Sequence, residues 1–211
     1  MAHEVESMTY AGETPWHRLG TAATDPRDID KCIADAGLDW DVDMVPVYGE
    51  GASGGYVGID GHRAVRRTSD GKYLGVVGER YTPLQNRVAF AWFKPWVDSG
   101  AATIECAGAL RGGRRVWVLA RLAVDPVSIR PGDDVRRYIL LSHSHDGTMC
   151  VRAGFSDIRV VCANTLRMAH GFGASRLLRL KHTAGVRAAL ADVRDVMDTA
   201  HAEFSATLDQ Y

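Results

Sequence analysis

The sequence lacks the motifs of several common functional classes. It contains no G-x-x-x-x-G-K-[ST] phosphate-binding loop, which excludes an ATP-driven recombinase or helicase of the P-loop class over this stretch. Its four cysteines form no C-x-x-C pair, which argues against a zinc ribbon and predicts buried free thiols. No apolar run approaches the roughly 20 residues that span a bilayer, and the first residues lack the pattern of a secretory signal. We therefore expect a cytoplasmic protein without a membrane segment or a cofactor.

Charge is abundant and segregated, although the formal net charge is only −1. Residues 1–60 carry 3 Lys/Arg against 12 Asp/Glu, residues 61–181 carry 20 against 9, and residues 182–211 carry 2 against 5. Of the 20 cations in the middle block, 17 are arginine, whose planar guanidinium suits phosphate oxygens. We predict an acidic segment 1–60 that docks subunits, a basic DNA-binding core 61–181, and a helix at 182–211 that packs on the core or between subunits.

The hydrophobic pattern predicts an α+β fold, with an antiparallel sheet of hairpins backed by a helix. Hairpin turns are expected at residues 69–72, 111–113 and 144–147, after a flexible linker at 49–55. A single helix is expected from Thr82 to Gly100. A long C-terminal helix, Thr183–Leu208, is predicted from an apolar seam that needs a partner helix: Val186, Leu190, Val193, Met197, Ala200 and Phe204. It runs to the last residues without a stop signal, which predicts a longer protein.

The cations of the middle block cluster on or beside the predicted hairpins. Because alternate residues of a strand share a face, Arg114 and Arg115 point to opposite sides, as do Arg136 and Arg137. Few aromatic residues lie between the cations, which favours contact with the phosphate backbone over stacking on bases. The predicted DNA-binding residues are Arg66, Arg67, Lys72, Arg111, Arg114, Arg115, Arg136, Arg137, Arg152, Arg159, Asn164 and Arg167.

The sequence also fits two functions other than DNA binding. His143 and His145 with Asp146 form an H-x-H-D run at a strand end that could hold a divalent metal, as a metal-dependent hydrolase or nuclease requires. The same residues also suit a polar hairpin turn, and no other pattern indicates an enzyme. The third reading is an oligomeric interaction module without nucleic acid, in which the basic block docks only the acidic segments of neighbouring subunits.

Two stretches resemble a known family. Residues 10–17 with Leu19-Gly20 near the start, and residues 159–166 at the end of the predicted sheet, are similar to the phage/plasmid-like protein family of actinobacterial phages and prophages. That family in turn is similar to the single-strand annealing proteins of the Rad-fifty-two superfamily. Their core is an antiparallel sheet backed by a helix, and they hold single-stranded DNA in a basic groove.

The resemblance implies ATP-independent single-strand binding and homologous annealing in phage-type recombination, with no catalytic residue and no metal. It implies a homo-oligomeric ring of roughly ten subunits, a nucleoid-associated location, and single-stranded and annealed duplex DNA as partners. A region beyond this chain would recruit a single-strand-binding protein. The implied groove residues are Arg152, Arg159 and Arg167, with Arg111, Arg114 and Arg115 at a hairpin tip as a second contact.

Overall fold

The computed structural model describes residues 3–124, 127–130, 133–172 and 177–208. Within these residues the strands are β1 (Val5–Tyr10), β2 (Thr21–Ala22), β3 (Val42–Glu50), β4 (Tyr56–Arg67), β5 (Tyr73–Gly78), β6 (Ala102–Leu110), β7 (Arg115–Leu122), β8 (Val127–Arg130), β9 (Asp133–Val135), β10 (Tyr138–Ser144), β11 (Val151–Ser156) and β12 (Leu177–Leu180). The helices are α1 (Ile29–Asp35), α2 (Asn86–Ala91), α3 (Lys94–Asp98), α4 (Ala163–Phe172) and α5 (Val186–Leu208).

A seven-stranded sheet forms the centre of the fold. Its order is β12-β11-β10-β7-β6-β1-β2, and all its neighbours are antiparallel except β1 and β2. The predicted α+β class with antiparallel hairpins is therefore confirmed. The N-terminal segment contributes β1, which pairs along β6 from Val5 to Tyr10, so this acidic part of the chain is built into the central sheet.

Helices cover both faces of this sheet because apolar side chains project from both sides of its strands. On one face, Val116 and Val118 of β7 pack in a core with α1, α2, α3 and α5. On the other face, Trp117 and Leu119 of the same strand pack with α4. The two faces therefore differ in their coverage, since the second carries the single ten-residue helix α4.

A second sheet, of order β3-β4-β5, packs against one end of the large sheet. Gly75 of β5 lies so close to Asp146 that an added Cβ would come within 2.6 Å of the Asp146 Cα. The predicted linker at 49–55 is instead the turn that joins β3 to β4, and those strands pair over most of their length. Because β4 runs from Tyr56 to Arg67, the acidic segment and the basic core share this sheet.

The predicted helix from Thr82 to Gly100 is wrong, because the structure has two short helices there. The segment before α2 is extended, and the Gln85 amide donates to Val42 O at 2.8 Å and accepts from Val42 N at 2.9 Å. Pro95 stands at the start of α3, where its missing N–H ends the hydrogen bonding of the preceding turn.

The long C-terminal helix is confirmed as α5, although it begins at Val186 rather than Thr183. Val186, Leu190, Val193 and Met197 are buried in the core that covers the first face of the large sheet. The seam therefore packs on its own chain, while the side chains of Ala200 and Phe204 lie outside the described residues. Within the part of the chain that the structure describes, no helix is long and apolar enough to cross a membrane.

Gly108 lies at a very close backbone contact in the large sheet, so a larger side chain there should destabilise the fold. A Cβ at Gly108 would lie 2.5 Å from Ser7 O and 2.5 Å from the Trp117 ring. Gly108→Ala should therefore lower the free energy of unfolding by about 1–3 kcal/mol or more through overpacking, measured by urea denaturation. Gly171→Ala is the matched control, because nothing lies within 4 Å of that position in α4. It should stabilise the protein by up to about 1 kcal/mol, and a Gly108 variant as stable as this control would contradict the packing described.

Candidate functional site

Strand register brings three arginines to one face at one end of the large sheet. Ser144 of β10 is paired with Arg115 of β7, and Ser142 of β10 is paired with Arg152 of β11. Arg152 is in turn paired with Arg179 of β12. Residues directly opposite each other share a face, and Ser142 and Ser144 are two apart on one strand. All three arginines therefore project to the side that α4 covers.

Helix α4 adds two further cationic or titratable side chains to this place. Leu166 and Ala169 are buried against Trp117, which holds α4 on the sheet. His170, in its last turn, shares a 2.9 Å hydrogen bond between Nε2 and the Ser142 hydroxyl. Arg167 lines a small cleft of about 70 Å³ with His170 and neighbouring arginines. We define the basic cluster as these groups: Arg111, Arg115, Arg152, Arg167, Arg179 and His170.

One carboxylate partly neutralises the basic cluster. Glu4 Oε2 lies 2.6 Å from Arg111 Nε, and its pKa is lowered first by this hydrogen bond and then by the charges of Arg111, Arg115 and Arg167. Among the described residues, no carboxylate lies within ion-pair distance of Arg115, Arg152, Arg167 or Arg179. A second carboxylate, that of Asp146, acts at longer range: its charge affects Arg111, and Thr148 Oγ1 bridges it to Arg115 Nη2. The positive charges of the cluster still outnumber these two negative charges.

Two guanidinium groups of the cluster also have unused hydrogen-bonding capacity. Nε of Arg115 and Nε of Arg152 are buried and have no hydrogen-bond partner among the described residues. The Arg115 Nη2 donates weakly to Thr148 Oγ1, at 3.3 Å. Unpaired buried donors are costly, and phosphate oxygens are suitable acceptors for a guanidinium. The cluster is therefore an electrostatically and geometrically favourable anion site.

The positive charges of the basic cluster affect the pKa of His170. Its pKa is lowered from 6.5 to about 4, first by burial and then by the charges of Arg152, Arg115 and Arg179. The ring is therefore neutral at physiological pH. Because its protonation is opposed by neighbouring cations, an anion that neutralises those cations must raise its pKa.

Cationic surface continues past β12. Lys181 follows this strand and, with Arg80, lines a cleft of about 670 Å³ beside the loop before β11. Both side chains are exposed, and neither has an ion-pair partner in the described part of the chain. The cleft is also lined by Glu79 and contains no member of the basic cluster, so it is a separate surface of mixed charge.

Several predicted DNA-binding residues lie elsewhere, in ion pairs with acidic residues. Arg66 holds Asp43 with contacts of 3.1 and 2.6 Å. Arg67 is nearly buried, binds Glu6 and Asp70, and stacks over Trp40 at 5.1 Å. The pKa of Asp70 falls to about 2, mainly through its hydrogen bond with Arg67. Lys72 Nζ lies 3.6 Å from Glu6. These three cations stabilise the small sheet and its contact with the N-terminal segment.

Arg159 is also separate from the basic cluster. Its Nε lies 2.6 Å from the nearly buried Glu105 carboxylate, and its Nη2 donates to Ala11 O and Glu13 O at 3.2 and 2.7 Å. It thus binds the segment between β1 and β2. Of the remaining predicted residues, Arg114, Arg136 and Asn164 are exposed and Arg137 is half-buried. Arg136 and Arg137 precede β10, so they lie at the other end of the sheet from the cluster.

The structure does not gather His143, His145 and Asp146 around one point. Both histidines are fully buried on the face opposite to α4, whereas the Asp146 carboxylate accepts from the Thr148 amide and hydroxyl at 2.9 and 2.6 Å. The His145 Nε2 bonds Asn86 Oδ1 at 3.1 Å. Within the described ranges, no group of three or more His, Cys, Asp or Glu side chains is arranged to hold a metal ion.

Sequence reasoning missed three members of the site. Arg179, His170 and Glu4 were not among the predicted site residues, although four members of the cluster were. Arg179 belongs to a four-residue strand that the pattern did not reveal, and its place opposite Arg152 depends on the register. The spacing of Arg167 and His170, three apart on a helix, was a usable signal for a shared face.

The comparisons with known proteins identify a family without a function. Residues 73–211 match the family described as "Domain of unknown function (DUF932)". The chain belongs to this family. The DUF932 match begins at the first residue of β5 and includes every member of the basic cluster, while Glu4 and the N-terminal segment precede it. Neither the curated proteins nor the solved structures contain a match to this chain.

Buried histidines make the fold sensitive to acid. Burial and neighbouring histidines hold the pKa of His143 well below 6.5, and burial lowers the pKa of His145 to about 3 and also lowers that of His182. Below pH 6.5 the unfolded chain binds more protons than the native protein, so stability must fall as the pH decreases. While they stay neutral in the native protein, His143 and His145 each contribute a loss of about 1.4 kcal/mol per pH unit below 6.5. Urea denaturation at pH 7.5 and pH 5.5 measures this loss.

His143→Leu tests the origin of this acid sensitivity. Both ring nitrogens of His143 are buried and have no hydrogen-bond partner in the described part of the chain, so an apolar side chain of similar size should raise stability by about 1–3 kcal/mol and reduce the pH dependence. His62→Gln is the control, since His62 is exposed. An unchanged pH dependence in the His143 variant would contradict the assignment.

Proposed function

We propose that this protein binds single-stranded nucleic acid by its phosphate backbone at the basic cluster and anneals complementary strands without ATP. The observation that carries the proposal is the convergence of Arg115, Arg152 and Arg179 on one sheet face, where none of the three has a carboxylate within ion-pair distance among the described residues. Uncompensated arginines attract a polyanion and release its counterions on binding. Contact with phosphates alone would leave the bases free to pair.

The spacing of the cations supports a linear ligand over a single small anion. Neighbouring strands lie about 4.8 Å apart, so Arg152 and Arg179 are separated by about one strand spacing and Arg115 and Arg152 by about two. Arg111 extends the row beyond Arg115, with which it lines one cleft. Consecutive phosphates of one strand can occupy such a row, which a single phosphate cannot fill.

The annealing step and the assembly rest on the resemblance of residues 10–17 and 159–166 to the phage/plasmid-like family. We propose that subunits assemble into a ring and present one extended strand to its complement. The acidic N-terminal segment supplies a surface of opposite charge, with exposed Asp30 and Glu50 on different elements. A head-to-tail contact between that segment and the basic core of the next subunit would close such a ring.

The proposal predicts a specific loss of DNA affinity when the cluster is altered. Arg152→Gln should weaken binding to a fluorescent single strand about tenfold or more, since hydrogen bonds to charged groups contribute roughly 1.5–3 kcal/mol. The slope of log affinity against log salt should fall by about 0.7 for each phosphate that the variant no longer neutralises. Fluorescence anisotropy in EDTA at several salt concentrations measures both quantities, and strand annealing is followed with complementary labelled oligonucleotides.

Two controls make this experiment decisive. Arg66→Gln removes a cation that is already paired with Asp43, so its affinity and salt slope should match those of the unaltered protein. Arg152→Gln should keep or raise the melting temperature, because it relieves repulsion among like charges. A protein whose oligomers ignore single-stranded DNA at low salt would contradict DNA binding and favour an interaction module. Equal losses in both variants would show a general charge effect and overturn the assigned site.

A further inference from the structure

One exposed aromatic side chain, Trp16, is held in place more firmly than an ordinary surface residue. It is 66% exposed, while Trp92, Trp96 and Trp117 are buried and Trp40 is half-buried. Its segment lies between β1 and β2, and Pro15 beside it is buried. Single exposed apolar residues are common on protein surfaces. An exposed tryptophan in a segment fixed by several specific contacts is not explained in that way.

The contacts that fix this segment come from both sides of Trp16. Arg159, anchored by Glu105, donates to Ala11 O and Glu13 O. After Trp16, His17 Nε2 donates to Val161 O at 2.9 Å and His17 Nδ1 accepts from Leu19 N at 3.1 Å. Both nitrogens of this imidazole are therefore occupied, which sets its tautomer. The indole is thus carried on a rigid support.

Two imidazole rings flank the indole without stacking parallel to it. The His3 centroid lies 4.7 Å from the indole at an interplanar angle of 61°, and the His17 centroid lies 5.3 Å away at 65°. Tilted contacts of this kind orient an aromatic ring, and they leave it without a parallel ring partner among the described residues. A flat aromatic group arriving from solvent can supply that partner.

The indole also lies close to the basic cluster. His3 O accepts from Ala163 N, the first residue of α4, at 3.2 Å. Arg167 lies four residues further along this helix, a rise of roughly 6 Å, and the charge of Arg167 lowers the pKa of Glu4, the residue after His3. The first turn of α4 contains no acidic residue. The surface from Trp16 to Arg167 therefore suits a strand that carries both flat bases and phosphates.

We infer that Trp16 is a base-stacking contact for a single strand whose phosphates lie on the basic cluster. This inference rests on the proposed function and adds the part of the nucleic acid that the arginines do not contact. Stacking on an aromatic side chain tolerates any base and contributes about 1–3 kcal/mol per base. It would fix one base of the strand while its neighbours stay available for pairing.

The test compares two strands of equal length, a thymine oligonucleotide and an abasic strand with the same sugar-phosphate backbone. Trp16→Leu should weaken binding of the thymine strand by roughly 5- to 160-fold, the range that corresponds to the stacking energy, and leave binding of the abasic strand unchanged. Arg152→Gln should weaken both. Tyr56→Leu, which removes an 86% exposed aromatic ring on the small sheet, is the matched control and should change neither.

Intrinsic fluorescence gives a second readout of the same contact. Because Trp16 is the exposed tryptophan among the five in the chain, the thymine strand should quench protein emission, and Trp16→Leu should abolish that quenching. Trp16→Phe should retain part of the affinity, since a phenyl ring still stacks. Full affinity in Trp16→Leu and no quenching in wild-type protein would overturn the inference while leaving the backbone site intact.

Two further outcomes separate this inference from its alternatives. The oligomeric state of the Trp16→Leu protein without DNA is compared with that of the parent by mass photometry. A difference would place Trp16 between copies of the chain and overturn base stacking. Wild-type protein that binds neither strand would overturn the proposed function itself. Reduced affinity for the thymine strand alone, with oligomeric state and abasic binding preserved, is the pattern that supports a stacked base.

Discussion

The candidate site depends on strand register, because register holds side by side several arginines whose positive charges repel each other. Pairing of β7 with β10, β10 with β11 and β11 with β12 places Arg115, Arg152 and Arg179 on one face. The same pairing buries Trp117 under α4 and Val118 on the side of the core that contains α5. The apolar contacts on both faces thus supply the stability that maintains an unfavourable concentration of charge at one end. Shifting one strand by a residue would turn its arginine to the opposite face.

Arginines have two distinct roles in this chain, and their partners distinguish them. Arg66, Arg67 and Arg159 each have a carboxylate at 2.6 Å. Arg66 holds two strands of the small sheet together, whereas Arg67 and Arg159 bind the N-terminal segment. Among the described acidic residues, only Glu4 lies within ion-pair distance of an arginine of the basic cluster, while the charge of Asp146 acts on Arg111 at longer range. A paired arginine contributes to the architecture, whereas an unpaired one is available to a ligand. Fewer arginines are therefore available to a ligand than the excess of cations over acidic residues in residues 61–181 suggests.

The class of fold could be predicted from the sequence more fully than the site. Alternating strands and Asp-Gly or Gly-Gly turns predicted the hairpins, and the seam from Val186 to Met197 predicted α5. Arg159 was expected in the groove from the resemblance of residues 159–166 to a known family, but its pairing with Glu105 depends on a long-range contact between β6 and the segment before α4. Arg179 and His170 were missed for the same reason, since only the assembled sheet brings them beside Arg152. Local patterns predict elements, while partners of charged residues are set by tertiary structure.

Phosphate binding at the basic cluster is tested most directly by an NMR titration of His170 in the full chain, with and without a single-stranded oligonucleotide. The free protein should show a pKa of about 4 for this ring, which burial and the surrounding arginines hold below 6.5. Phosphates bound among Arg115, Arg152 and Arg179 would neutralise the charges that oppose protonation, so the pKa should rise towards its ordinary value. A His170 pKa that stays the same under saturating oligonucleotide would contradict phosphate binding at the basic cluster.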